Sequence, residues 1–252
     1  MNSLTPPPAP FISAQGRARI VKILLIVGAI LTGLSLLIEA LSLVSPPPLE
    51  DEELSENLIG SMILVAAFML TIFDLIIYLV TVVFFAIWLY RAYDNLRAFD
   101  PWSRLNYSPG FAVGSFFIPF ANLFVPYRAV KELWQKSRGP NEAILSDPPA
   151  SFPLWWLFWL SASFAGNISF RVSFRENIPP STATMVAIVA HALFITAAVF
   201  AYLVVDAIDK RQEEARGKLN LATLTGPPPP PTALTIPEAV TLTPSPNDSP
   251  AS

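Results

Sequence analysis

The sequence predicts an all-α integral membrane protein: a four-helix bundle with a cytoplasmic re-entrant wedge, an interfacial helix and disordered, proline-rich tails. Three observations predict it. Hydrophobic residues make up 53% of the chain and charged residues only 14%, where soluble domains carry roughly 25% charged, and the mean hydropathy is +0.50. Four apolar runs are each long enough to cross a hydrocarbon core of about 30 Å as a helix. Finally, almost every Lys and Arg can be gathered on one side of that core.

The four runs lie at 20–44, 58–90, 152–170 and 181–205. Within their apolar stretches ionisable side chains are sparse: Glu39 in the first, Asp74 in the second, none in the third and His191 in the fourth. Lipid offers the backbone no hydrogen-bond partner, so such runs must be helices or barrel strands, and strands would alternate apolar with polar residues. The first run begins within RARIVK (17–22). That resembles the start of a cleaved signal peptide, but the apolar stretch exceeds the usual length of about 7 to 15 residues. The membrane domain is therefore read as 17–212, between tails at 1–16 and 213–252. Proline at the density of TPPPAP and GPPPPP excludes a packed core there. Such tracts could dock as polyproline helices on proline-binding domains, or serve only as flexible tails.

A fifth apolar run, GSFFIPFANLFVPYRAVKELW (114–134), needs a different reading. Its helix-compatible part, 111–125, would rise only about 22 Å. Pro119 and Pro126 would also free the carbonyls of Ser115 and Asn122, which lipid cannot satisfy. Charge separates the two topologies. If the run enters and leaves on one side, all Lys and Arg except Arg171 and Arg175 fall on the inner side; if it spans, they divide evenly. The first arrangement makes 111–125 a re-entrant wedge, puts both termini in the cytoplasm and leaves the acidic LEDEEL loop outside; a fifth, kinked span is the alternative. Asn122 is expected to turn the chain and cap an interfacial helix at 126–137. Tyr127, Val130, Leu133 and Trp134 share one face of that helix, with Arg128, Lys131 and Lys136 on the others, as for a helix on an anionic inner leaflet.

WLYRAYDNLRAF (88–99) followed by SPGFAVGSFFIPFANLFVPYRAVKELW (108–134) resembles the bacterial membrane-protein family known as domain of unknown function 4328. The similar features are Arg91, Asn95 and Leu96 after a span, then Pro109, Gly114, Pro119, Asn122, Pro126 and Trp134, over a resemblance covering about residues 20–210. It implies an integral membrane protein with no established activity. Because Arg91 and Asn95 recur with the wedge, Asn95, and secondarily Arg91, is expected to hydrogen-bond the wedge near Asn122.

Catalytic signatures are missing: there is no G-x-S-x-G, H-E-x-x-H, P-loop or G-x-G-x-x-G. No cysteine and a single histidine argue against disulfides, Cys nucleophiles and a His-rich metal site, so no cofactor or metal is expected, and no nucleic-acid partner. Asp206 and Asp209, one turn apart, read as solvated helix-end charges beside Lys210 and Arg211. Trp155, Trp156 and Trp159 read as an interfacial belt. Counting about 1.5 Å per residue from the inner ends brings Glu39, Asp74, His191 and Arg171 to one level of the outer leaflet, with Arg175 close by. Intramembrane ionisable groups are costly, so this set is either a proton- or cation-responsive site or a neutralised network that fixes packing. The function expected is a non-enzymatic scaffold or sensor in the cell membrane, acting through its cytoplasmic face; the alternative is a small transporter or channel component using the outer set.

Overall fold

The computed structural model describes residues 10–44, 54–99, 104–138 and 147–225, and among them every regular element is a helix. Four long helices form the body: α1 (Gln15–Val44), α2 (Leu54–Asp94), α6 (Ser151–Val172) and α7 (Pro180–Thr225). The link between α2 and α6 holds α3 (Leu96–Phe99), α4 (Pro109–Gly114), a 3₁₀ turn (Ala121–Leu123) and α5 (Val125–Lys136).

Among the described residues three helices are long and apolar enough to cross a membrane, over Gln15–Leu43, Val65–Phe99 and Pro180–Leu221. The 22-residue α6 has the length, but Ser161, Ser163, Gly166, Asn167 and three indole N–H groups dilute its apolar run. It packs along α7 through small residues, with Ala162, Ala190 and Ala197 buried. A Cβ added at Gly166 would lie only 3.0 Å from the Phe194 ring, so that ring packs directly on the α6 backbone there.

α2 packs on α1, α1 on α7 and α7 on α6. The fourth side of this square, between α2 and α6, has at most sparse helix-to-helix contact and is closed at one end by the link, with α4 against α2 and α5 against α6. That end, where α1 begins, is called basal here. Its core joins Ala18 and Val21 of α1, Trp88, Leu89 and Tyr93 of α2, Val130 and Leu133 of α5, Phe152 and Trp155 of α6, and Val204, Val205 and Ile208 of α7. The end of α2 and the start of α6 therefore meet in one core, and the link does not cross the body. Toward the distal end apolar side chains point outward instead, among them Leu37 and Leu41 on α1, Phe68 and Phe73 on α2 and Phe164 on α6. A soluble monomer rarely exposes so large an apolar surface.

Two boundaries differ from the sequence reading. Residues 10–14, assigned to a tail, lie against the basal core, where the Phe11 ring sits 5.3 Å from that of Phe99. At the other end α7 runs on through residue 212 to Thr225, because nothing breaks the helix before Gly226 and the prolines from 227. Its 46 residues make about 69 Å of helix, more than twice a hydrocarbon core. The remaining parts of both tails, and most of the acidic loop, lie outside the described residues.

Candidate functional site

The basal end is built around α5. Pro126 fits the first turn of that helix, and the i, i+3, i+4 stripe that follows buries Ala129, Val130, Leu133 and Trp134. The sequence assigned this face to lipid. It meets protein instead: the Trp134 ring stands edge-on to Phe152 at 6.0 Å, and the Arg211 guanidinium lies 4.0 Å from the Trp134 centroid. An apolar stripe has the same pattern whichever apolar partner it meets, so spacing alone could not separate the two. Tyr127 is half-buried at the core's edge and Arg128 is exposed. Lys131 reaches Asp147 at 3.3 Å.

Glu132 goes into the core with that face and is only 5% exposed. The Tyr93 hydroxyl donates a short hydrogen bond to its Oε2. Asn106 donates to Oε1 through both its backbone N–H, at 2.9 Å, and its Nδ2, at 3.0 Å. Lys136 Nζ lies 3.0 Å from the same oxygen and also donates to the Arg104 carbonyl. A carboxylate has about four acceptor sites, so these donors saturate it. The buried charge thus ties α5, the end of α2 and the start of the link together.

A second knot joins the segment before α1 to α7. Asn95, 2% exposed, follows α2 directly; its Oδ1 accepts from the Ile12 backbone N–H at 3.3 Å and its Nδ2 donates to Gln212 Oε1 at 3.3 Å. Gln212, 3% exposed, donates through Nε2 to the Ala92 carbonyl at 2.7 Å and to Ser137 Oγ at 3.0 Å. Asn95 therefore holds the N-terminal segment and α7, where the sequence expected it to hold the wedge, and Arg91 pairs with Asp94 at 2.9 Å. Around the rim, Lys22 and Lys210 flank Asp206 at 2.8 and 2.7 Å, and Ser13 Oγ donates to Glu213 at 2.6 Å.

The run expected as a wedge is not one helix. Ser108 caps α4 by accepting from the Phe111 N–H at 3.2 Å, Pro109 fills its first turn, and the helix stops at Gly114. Past Pro119 the chain turns at Phe120, whose φ of 65° is strained for a residue with a side chain. Asn122 does not cap α5: its Oδ1 is buried without a partner among the described residues, and Phe124 precedes the helix with no side-chain cap. The turn is held instead by Trp156, whose indole N–H donates to the Leu123 carbonyl at 3.1 Å. Its tip presents Phe117, Phe120 and Phe124 at 67%, 83% and 62% exposure.

Of the distal residues, Glu39 and His191 come together, with His191 Nδ1 2.9 Å from Glu39 Oε2. Asp74 accepts from Thr32 Oγ1 at 3.1 Å. Arg171 instead donates to Asn167, one turn back on its own helix, at 2.8 Å, and Arg175 is exposed in the turn before α7. No three His, Asp or Glu side chains are grouped as metal ligands among the described residues.

The family model of Domain of unknown function (DUF4328) matches residues 55–210, from the start of α2 through the basal part of α7. The chain belongs to that family. No curated protein and no solved structure matches it. The matched stretch of this DUF4328 protein contains Asn95, Glu132 and the whole link, while α1 and Gln212 lie outside it.

Sequence reasoning missed Glu132 as a buried group, together with Tyr93, Asn106 and Gln212. Gln212 did leave a signal. It continues the α7 stripe of Ala201, Val204, Val205, Ile208 and Ala215, so a polar residue stands at a core position. Glu132 left a weaker one, since it reads equally well as a surface partner of Lys136.

Proposed function

We propose that this DUF4328 protein is a non-enzymatic, multi-pass membrane scaffold or sensor that acts through its basal end, with four spans and both termini in the cytoplasm of the cell. The observation that carries the reading is the Ile12–Asn95–Gln212 knot, which ties the segment before α1 and the basal part of α7 to the end of α2. An exported signal or a docked partner would bear on a single assembled surface, from which α7 projects beyond the membrane. The fourth span follows from connectivity: α6 leads from the basal core to the distal turn alongside α7, so it crosses if α7 does. The exposed Phe117, Phe120 and Phe124 form the re-entrant element, dipping into an anionic inner leaflet beside Arg128. The proline-rich tails would supply polyproline ligands to soluble partners.

Photo-crosslinkers at Glu214 and Arg128, both exposed at the basal end, test the reading in cells. Discrete protein adducts from these positions, and none from the exposed distal Phe174, are expected. Adducts to lipid alone would remove it.

A second reading, a small proton- or cation-coupled transporter, is favoured by the Glu39–His191 contact and Asp74 at one level of the apolar body. Proton uptake by reconstituted vesicles that is lost in Asp74→Asn would establish that reading in place of the scaffold.

A further inference from the structure

Three helices bring ionisable side chains together in the distal half of the body. His191 of α7 lies with its Nδ1 2.9 Å from Glu39 Oε2 of α1, and the two side chains are 25% and 27% exposed. Asp74 of α2 accepts from Thr32 Oγ1 at 3.1 Å and stands within electrostatic range of the same imidazole. Two carboxylates from two helices therefore face one imidazole on a third. α2 also sets the Tyr78 ring against Phe194 of α7. The only charged side chain of α6, Arg171, is exposed and donates to Asn167. The link meets α7 at the base, through Ser137 and Trp134. Access to the cluster is one-sided. Glu39 stands five residues, about 8 Å, before the distal end of α1. Toward the base, α1, α2 and α7 hold no Asp, Glu, His, Lys or Arg between this level and Lys22, Arg91 and Asp206. A proton taken up here thus meets no carboxylate, imidazole or amine on the way to the base.

We propose that His191 is the proton-operated element of a latch between α1, α2 and α7. With Nδ1–H donated to Glu39, the incoming proton takes the Nε2 lone pair, and the imidazolium answers both carboxylates and holds the three helices together. When that proton returns to water at the distal side, the neutral ring leaves Glu39 and Asp74 as two like charges in a medium of low dielectric, and α1 and α2 move apart. The latch is therefore closed at low pH and opens as pH rises. It deepens the sensor reading, and rests on it, by naming protons at the distal side as the input; α7 carries His191 and Gln212 on one continuous helix, which joins that input to the base.

The chain's single histidine and lack of cysteine make the test direct. In full-length protein in lipid nanodiscs, the charge of the labelled imidazole is followed by NMR from about pH 5 to 9, and spin labels on Leu41→Cys of α1 and Val65→Cys of α2, both exposed, report distance over the same range. One imidazole transition is expected, with the distance lengthening at the same midpoint and the closed-to-open ratio falling about threefold, the size of one interhelical polar contact in a membrane. Labels on Arg19→Cys and Glu214→Cys, exposed at the base, should not move. Glu39→Gln should leave the imidazole titrating and remove the distance change, and His191→Gln should hold the longer distance throughout; if the second variant does not fold, the first decides. An imidazole of constant charge, a transition without a change of distance, an equal change at the base, or a change that survives in Glu39→Gln would overturn the latch. Net proton uptake by vesicles would overturn it in favour of transport, whereas absence of basal crosslinks in cells would bear on the scaffold reading alone.

Discussion

The two ends of the helical body solve the problem of buried polarity differently. At the basal end Glu132 has four donors, and Asn95 and Gln212 bond to each other, to the backbone of Ile12 and Ala92 and to the Ser137 hydroxyl. At the distal end Glu39 meets His191, and Asp74, which accepts from Thr32, lies within electrostatic range of the same imidazole, all among outward-facing apolar side chains. A saturated network with aromatic packing admits one arrangement, because each partner lost leaves a buried group unsatisfied. Two polar contacts between helices, each with a single hydrogen-bond partner, constrain less. The base is thus expected to tolerate less change than the distal end.

The largest effect should come from breaking the basal carboxylate. Glu132→Ala strands the Tyr93 hydroxyl, the Asn106 donors and the Lys136 ammonium, and should cost about 3 to 5 kcal/mol, read as a loss of monodisperse protein after detergent extraction. Glu132→Gln keeps the shape and should lose less. A Glu132→Ala protein that survives extraction like wild type would remove the contrast between the ends.

Next comes the knot. Gln212→Leu takes their Gln212 partner from Asn95 Nδ2 and the Ala92 carbonyl, while Ser137 keeps its bond to the Leu133 carbonyl, a penalty of about 1 to 3 kcal/mol for buried polar groups. It should also release residues 10–14, seen as faster amide exchange there. Unchanged exchange with lowered stability would mean that Phe11 packing, not the hydrogen bond, holds the segment.

Trp156→Phe removes only the bond to the Leu123 carbonyl, worth about 1 kcal/mol, and keeps most of the ring packing. Protease access near Phe120 should rise while global melting barely moves. The smallest effect belongs to the distal pair: Glu39→Gln should change thermal stability by about 0.6 kcal/mol, typical of one interhelical polar contact in a membrane. A loss as large as that of Glu132→Ala would show the distal pair to be equally structural.

How far the sequence could be read follows from the range of each interaction. The long apolar helices are set by composition over some twenty consecutive residues, so α1, α2 and α7 were legible, and α5 starts within one residue of its predicted position because Pro126 marks a first turn. The environment of α5 was not legible, since Leu133 and Trp134 suit lipid or a protein core alike. Burial of Glu132 depends on Tyr93 and Asn106, 39 and 26 positions away, and periodicity carries no information at that distance. Asn95 was singled out for the wrong contact: the wedge is its neighbour in sequence, but its partners are Ile12 and Gln212. The fragmented wedge follows from Pro119 and the positive φ at Phe120, of which only the proline is visible in advance.

The proposed topology, in which the link between α2 and α6 returns to its own side, would put the whole base in the cytoplasm. The chain has no cysteine, which makes single introduced thiols clean reporters. Labelling intact cells with an impermeant thiol reagent should mark Arg175→Cys in the distal turn and spare both Arg128→Cys on α5 and Glu214→Cys on α7 until the membrane is permeabilised. Labelling of Arg128→Cys or Glu214→Cys from outside, with Arg175→Cys protected, would contradict the account.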